Sequence, residues 1–514
     1  MNNPNHNIAL ISTIFSLDPD QIESCDCFRR EKETLIDVKL KDIRSSCPFC
    51  GNEIVKIKGY VRKKINHSIL TEQSCILNYH ARRYICPVCG KTYYETNPFV
   101  FHRMKISSNV VLAILKELQN PSQTFTSVGV RYKVSPTTVA SIFDKTVNIP
   151  RAKLPAVLST DENYAFHSKT EESKYVCVII NQQNGQPVDI LPSRRYEYLD
   201  KYYSKIPEYE KKGVHYVVTD MYEPYRRIFK KHFPHAIHVV DHYHIAQELH
   251  RRMDSVRLRI MNQYRCINTK HRTQEQQDAY YLLKHHNNLL FKHYIRSKGP
   301  DKKRLFDINR KKTYNQHFKK YMNPYDIAIK LTSIHPDISK AWELKDEVTD
   351  FYITNTLDTA PEALNALIKK LRESGIDEMV QLSYMIFNWK KEIINSFTVS
   401  KAVYRISKET GEITVEKKRI NNALMENRNG VIKLITKAAN GYRNWERFRN
   451  RCMLVLEKGI TFEINKDDGS VHMTAKKEGY PRMVRVRGLP KITWGKELTC
   501  PFFVPNFLGF RIIL

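Results

Sequence analysis

No apolar run in the chain approaches the ~18 residues a helix needs to span a membrane, and no stretch reads as a signal peptide. Acidic residues are scarce, with 54 Asp and Glu against 84 Lys and Arg, a formal charge of +30 over 514 residues. The 11 cysteines are odd in number and widely scattered. The first absence excludes a protein built on spanning helices. The second points to a polyanionic partner, because Lys and Arg neutralise phosphates and release condensed counterions. The third argues against a disulfide framework and fits a reducing compartment, so a cytoplasmic setting is expected. The length implies about three or four domains.

Four of the cysteines are not scattered. "CPFCG" at 47–51 and "CPVCG" at 86–90 are matching knuckles. Two thiolate pairs of this kind close the tetrahedral site of a structural Zn²⁺, so Cys47, Cys50, Cys86 and Cys89 are expected to bind one ion. The chain between them alternates like a hairpin, which would bring the pairs together. Four unrelated buried cysteines, or a redox pair, are the competing readings; the shared Pro and trailing Gly argue against both. Cys25 and Cys27 are read as ordinary thiols. Arg62, Lys63, Lys64, Arg82 and Arg83 are candidate nucleic-acid contacts on the hairpin, with a solvated basic face as the alternative.

Between Ser107 and Val147 the apolar spacing is helical. A short helix, a turn at Lys133-Val134 and a second helix capped by Ser135, with Pro136 at its first position, have the proportions of a helix-turn-helix. Thr137, Thr138 and Ser141 would face the bases, with Val139, Ile142 and Phe143 turned inward. A plain helical hairpin is the competing reading.

Beyond residue 150 the pattern changes to short apolar strands. One precedes Asp161; a hairpin turns at Gln183-Asn184-Gly185; a helix leads to a strand ending at Asp220; another helix leads to a strand ending at Asp241, three residues before His244. Carboxylates at neighbouring strand ends of a mixed sheet suit two-metal phosphoryl chemistry, in which hard Mg²⁺ ions take oxygen ligands. This order is that of a ribonuclease H-like core, with Asp161 and Asp220 as shared ligands and Asp241 and His244 beside them. Single strand-end aspartates are often only caps. A third carboxylate is expected from a helix. Asn422, Glu426, Asn429 and Lys433 share one polar helical face, which selects Glu426 as ligand, with Asn429 and Lys433 facing phosphate. Glu409, Glu412 and Glu416 lie in a hairpin-like stretch without that context.

Taken together, the knuckles with "RRYICPVCGKTYYE", the helical pair, Asp161-Glu162, "VVTDMYEPY", "FPHAIHVVDHYHI" and "GYRNWERFRNRCML" resemble the ISL-three family of bacterial insertion-sequence transposases, of the DDE type. The likeness spans roughly residues 40 to 455. It implies a ribonuclease H-like domain interrupted by a helical insertion. It also implies cleavage and joining of element ends dependent on two Mg²⁺ (or Mn²⁺) ions, with Asp161, Asp220 and Glu426 as the triad and Asp241 with His244 as accessory residues. The chain departs from the family at Asn427, at "ITKAANGY", in a hairpin at 400–418 and in the tail beyond 456.

The expected architecture is a multidomain α+β chain. It comprises an N-terminal segment (1–40), a zinc-binding domain (41–104), a helix-turn-helix domain (105–150), the first part of the core (151–246), an all-helical insertion (247–400), the last part of the core (401–456) and a tail (457–514). On this division a 40–150 fragment would bind DNA by itself. The expected function is a transposase that binds terminal inverted repeats and carries out strand cleavage and transfer. Its partners are double-stranded DNA ends and target, with no membrane, and it acts as a homo-oligomer in the complex, in the cytoplasm with the nucleoid. A transposase-derived DNA-binding protein without catalysis is the alternative, and intact carboxylates favour the enzyme. A structure-specific nuclease would explain the sheet but not the DNA-reading N-terminal regions.

Overall fold

The computed structural model describes residues 4–475 apart from 43–45, 70–72, 102–103, 171, 266–270, 399, 407–412, 420–422 and 466–467. The segment before residue 41 is built into the zinc-binding unit and is not a separate N-terminal piece. Helix α1 (Pro4–Phe15) packs on a sheet formed by β1 (Ile22–Arg29), β2 (Glu33–Leu40), β3 (Lys56–Asn66), β4 (Ser74–Ile85) and β5 (Thr92–Tyr94). The strand order is β1-β2-β4-β3, with β5 also on β4. Strand β2 runs parallel to β4 from Glu33↔Ser74 to Val38↔Tyr79, so two strands of the unit come from this early segment. Leu77, Tyr79 and Ala81 alternate along β4 and are fully buried, which fixes its inner face.

Three helices come next: α2 (Ser108–Glu117), α3 (Phe125–Arg131) and α4 (Pro136–Thr146). Each starts where a hydroxyl caps it. Ser107 accepts from the Val110 amide, Thr124 and Ser127 form a capping box, and Ser135 accepts from the Thr138 amide ahead of Pro136. The turn between α3 and α4 is tight. A Cβ on Gly129 would lie 2.7 Å from the Val134 carbonyl oxygen, so only glycine fits there. These helices are not an independent domain. Val110, Ile114, Val139 and Phe143 belong to one buried cluster with strand residues of the central sheet and with helices near the C-terminus. The 40–150 fragment lacks that cover and has no complete core of its own.

The central sheet contains β6 (Val157–Asn163), β7 (Val176–Asn181), β8 (Pro187–Leu191), β9 (Tyr216–Thr219) and β10 (Ile237–Val240), in the order β10-β9-β6-β7-β8. Strands β6, β7 and β8 form an antiparallel meander, while β9 and β10 run parallel to β6. The connections are α5 (Tyr196–Ser204), α6 (Glu208–Lys212) and α7 (Glu223–His232). Both faces are apolar, as expected for a sheet covered on each side. Leu158, Cys177, Ile179 and Val217 pack with Tyr203, Tyr225 and Phe229 of α5 and α7. Val176, Val178, Ile180 and Ile190 face the other way, into the cluster shared with α2 to α4.

Helix α8 (His242–Arg265) leaves directly from β10 and opens the insertion, with α9 (Gln274–His285), strands β11 (Thr313–Asn315) and β12 (Lys320–Met322), and helices α10 (Pro324–Thr332), α11 (Pro336–Thr354), α12 (Ala360–Arg372), α13 (Asp377–Asn388) and α14 (Lys390–Asn395). One core runs through it, from Ile245 to Ile393. The insertion is mainly helical but carries the short β11–β12 hairpin. Its far end returns to the sheet: Arg226 of α7 lies 3.6 Å above the Trp389 ring and pairs with Glu392 at 2.9 Å, and Asn395 Nδ2 donates to the His238 carbonyl at 2.8 Å.

A hairpin of β13 (Ser400–Ile406) and β14 (Ile413–Arg419) then precedes α15 (Ala423–Ala438) and α16 (Trp445–Leu456). The chain beyond 456 begins as structure rather than tail. Strands β15 (Ile460–Ile464) and β16 (Val471–Ala475) pair and sit against α2, where Gln119 Nε2 donates to the Ile460 carbonyl at 2.9 Å. Residues 476–514 lie outside the described residues. Among the described residues no helix is long and apolar enough to cross a membrane.

Candidate functional site

Two groups of side chains among the described residues are placed to hold a metal ion. The first is Cys47, Cys50, Cys86 and Cys89. Two similar turns build it. The Gly51 amide donates to the Cys47 carbonyl and the Gly90 amide to that of Cys86, and both glycines take positive φ, 74° and 68°. The antiparallel β3–β4 pairing carries one knuckle to the other. Cys47 Sγ lies 3.7 Å from Cys89 Sγ, and Cys50 Sγ lies 3.6 Å from Cys86 Sγ. A tetrahedron with Zn–S bonds of about 2.3 Å has edges of about 3.8 Å, so the four sulfurs fit Zn²⁺. The Cys89 amide N–H pulls the Cys86 thiol down to about 6, with the Val88 amide and the Asn52 side chain adding to it. Thiolate, the form that binds metal, is thereby favoured.

The second group is Asp161, Glu162 and Asp220, whose carboxylate oxygens lie within 4.8 Å of one another. Strand register explains the meeting. Ser159 pairs with Val218 and Thr219 with Val240, so extending both ladders puts Asp161, Asp220 and Asp241 in one row across three parallel strands. Alternation along β6 assigns Glu162 to the opposite face from Asp161, so sequence reasoning does not select it. At the strand end its carboxylate nevertheless joins the group, and its Oε1 pairs with Arg194. The Arg194 guanidinium lies between the rings of Tyr175 and Tyr222, at 4.4 and 4.5 Å.

Burial is the main force on these carboxylates. It pushes Asp220 up to about 8, with the Glu162 and Asp161 charges adding to it. Burial also raises Asp161 to about 6 against the opposing charge of His244. Asp241 is buried; its Oδ1 accepts from the Tyr243 amide at 3.3 Å and lies 3.1 Å from His242 Nδ1. Among the described residues, none donates a hydrogen bond to the buried Glu162 Oε2 or Asp241 Oδ2. Crowded carboxylates with free buried oxygens are a donor set for a hard divalent cation.

Helix α15 lies along β6 and is tied to this group. Asn429 Nδ2 donates to Asp161 Oδ2 at 3.0 Å, while Asn163 Nδ2 donates to Asn429 Oδ1 at 3.1 Å. Asn429 is thus buried against Asp161. Glu426, one turn earlier on α15, and Lys433, one turn later, are exposed. Glu426 lies outside the three-carboxylate group, and Asn422 lies outside the described residues.

On the helical pair, Val139, Ile142 and Phe143 are buried, Thr137 and Ser141 are exposed, and Thr138 is half-buried. Both threonine hydroxyls lie 2.8 Å from Ser135 Oγ. On the zinc hairpin, Arg62 and Lys64 are exposed, while Lys63 lies 5.0 Å above the Tyr94 ring. Arg83 is half-buried and donates to Thr92 Oγ1 at 3.1 Å. Arg82 differs from its sequence expectation. It is 2% exposed, with its guanidinium between Glu23 at 2.7 Å and Glu95 at 3.1 Å, which makes it a core ion pair rather than an open nucleic-acid contact.

No curated protein matches the chain. Residues 158–404 match the family model of ISL-three DDE transposases, described as a transposase. Residues 44–89, which bracket the four cysteines, match the zinc-finger of transposase IS204/IS1001/IS1096/IS1165. The first match contains Asp161, Glu162, Asp220 and Asp241, and the two together cover more than half of the chain. A transposase zinc-finger followed by a transposase domain is what the two matches describe: the chain belongs to the ISL-three family of insertion-sequence transposases.

Proposed function

We propose that the protein binds the terminal inverted repeats of an insertion sequence and catalyses divalent-metal-dependent cleavage and strand transfer at those ends. The row of aspartates across β6, β9 and β10 carries this reading. The antiparallel meander flanked by two parallel strands supports a ribonuclease H-like core. Asp161, Asp220 and Glu162 are the carboxylates already together, and Glu426 is the helix-borne ligand that family resemblance assigns. When bound there, Mg²⁺ or Mn²⁺ ions activate the attacking oxygen and stabilise the leaving one. The chain's own residues prepare the site. Asn429 fixes the orientation of Asp161, Arg194 offsets the Glu162 charge, and Asp241 ends the row on β10, with the His244 charge opposing the rise of Asp161. The capped α3–α4 pair is read as a helix-turn-helix, with Thr137, Thr138 and Ser141 toward bases and Arg62 and Lys64 toward phosphates.

The test uses full-length protein pre-bound to labelled inverted-repeat ends, with Mg²⁺ added to start cleavage. Asp161→Asn and Asp220→Asn should each abolish cleavage and retain end binding. Asp241→Ala should slow cleavage about 10–100-fold, as for a group that orients a ligand. Undiminished cleavage by both asparagine variants would overturn the proposal. A dead Asp241→Ala beside an active Asp220→Asn would move the second ligand to β10.

A further inference from the structure

Beside the carboxylates, where the chain leaves β6, a cavity of about 480 Å³ is lined by Tyr164, Phe166, His167, Lys433, Lys437 and Tyr442, among others. We infer that this cavity holds an unstacked nucleotide of the DNA strand next to the cleavage position, with Tyr164 as the platform on which its base stacks. The inference rests on the carboxylate row being the cleavage site.

Position is the first support. Tyr164 is three residues beyond Asp161, roughly 10 Å of extended chain. Lys433 is one helical turn beyond Asn429, which touches Asp161. Two elements, β6 and α15, therefore lead from the carboxylates to the cavity.

Side-chain chemistry is the second support. Tyr164 is 54% exposed, which leaves part of its ring open to a stacking partner. Its orientation is nevertheless set, by edge-to-face contacts with His167 at 4.9 Å and Tyr175 at 5.5 Å. Lys433 and Lys437 are four residues apart, so they share one face of α15. Both are exposed, and among the described residues neither has a carboxylate partner. An aromatic platform with two unneutralised cations alongside is the composition of a single-strand site, in which bases stack and phosphates meet lysines. A base inside a duplex has both faces covered by its neighbours. To reach Tyr164 it must leave the stack, so the strand there is unpaired when bound.

A second cavity continues the path. It is lined by Thr124, Phe125 and Thr126 at the start of α3 and by the 439–444 loop, and it shares Gly441 and Tyr442 with the first. Asn440 and Gly441 both take positive φ, 51° and 91°, and this sharp reversal places Tyr442 on both cavities. The two cavities together thus run from the start of α3 to Tyr164, just past the end of β6.

The experiment measures binding of full-length protein to three versions of one inverted-repeat end: a fully paired flank, a flank mismatched at the two nucleotides beyond the cleavage position, and a single-stranded flank. The unpaired flanks should bind about tenfold more tightly, the scale of one base–aromatic stack. Tyr164→Ala should erase that preference, and Tyr164→Phe should keep it. Lys433→Ala with Lys437→Ala should weaken all three DNAs alike and reduce the salt slope by about two. Asp161→Asn, defective in cleavage, should keep the full preference, and this separates the pocket from the assignment of the cleavage site. Equal binding of paired and unpaired flanks by the wild type, or a preference that survives in Tyr164→Ala, would overturn the inference. Cleavage by Asp161→Asn would overturn only the reading on which it rests.

Discussion

At the scale of single residues, the groups that decide behaviour are polar ones buried with incomplete partners. His67 is fully buried where β3 meets α2; its Nδ1 lies 2.7 Å from Ser107 Oγ, the hydroxyl that caps α2, and its Nε2 has no hydrogen-bond partner among the described residues. Burial lowers His67 from its ordinary 6.5 to about 4. Its folded value therefore lies below its unfolded value, so the unfolded chain takes up the proton first as pH falls. The stability it confers is complete above pH 6.5 and is lost as pH drops toward 4, by up to about 3 kcal/mol. His238 is lowered to about 4 by the same cause and adds a second, similar loss. Asp161 and Asp220, whose folded values are raised, act in the opposite sense over this window, so the check is a difference: going from pH 6.5 to 5 should cost the wild type more stability than it costs His67→Gln. Denaturant midpoints across this range check it; an unchanged slope in His67→Gln would place the proton uptake elsewhere. Arg82 shows the same principle for charge. A basic residue on an alternating strand reads as a surface contact, but Glu23 and Glu95, brought in from β1 and the chain after β5, make it part of the interior.

At the scale of elements, α15 is the one on which the proposed chemistry turns. Its inner face is Met425, Asn429 and Ile432, and the polar member of that face binds Asp161. Replacing Asn429 by Leu keeps the volume and removes the donor, so cleavage should fall about 10–100-fold with end binding unchanged. Glu426→Gln should abolish cleavage, and Glu162→Gln should leave it measurable. The reverse result, measured on the same pre-bound ends, would assign the third ligand to Glu162. Much of this site is legible in sequence, because strand ends, caps and knuckles are local signals. Asp161, Asp220 and Asp241 end apolar runs, Ser135-Pro136 marks a helix start, and the two Cys-Pro-x-Cys-Gly turns mark themselves. What the sequence hides is which polar residue on a helix faces inward. Periodicity places Glu426, Asn429 and Lys433 on one stripe, but only packing against β6 decides that the middle one is buried and its neighbours are exposed. Pairing between distant strands is hidden for the same reason, and so β1 and β2 read as a separate N-terminal segment although β2 lies beside β4.

At the scale of the whole molecule, the +30 charge does not all face a ligand. Helix α16 spends three arginines on assembly. Arg447 pairs with Asp144 of α4 at 2.6 Å, and Arg449 donates to Asp189 of β8 at 2.8 Å. Arg451, fully buried, donates to the carbonyls of Leu118, Asn120 and Gln123 at the end of α2. One helix thereby joins α2 and α4 to the central sheet, and the 150-residue boundary expected from composition is crossed by ion pairs and by a shared core. Helices α2 to α4, proposed to recognise DNA, thus share one packed core with the sheet that carries the carboxylates. Arg451→Met should leave the buried Leu118 carbonyl without its donor and cost about 1–3 kcal/mol, the usual range for an unsatisfied buried acceptor. Thermal unfolding of the full chain should shift down accordingly. The 40–150 fragment, which lacks α16 and β15 altogether, should remain largely unfolded past β5 and bind inverted-repeat ends with little preference over random duplex. A 40–150 fragment that bound those ends as selectively as the full chain would show instead that the recognition helices fold without the clamp.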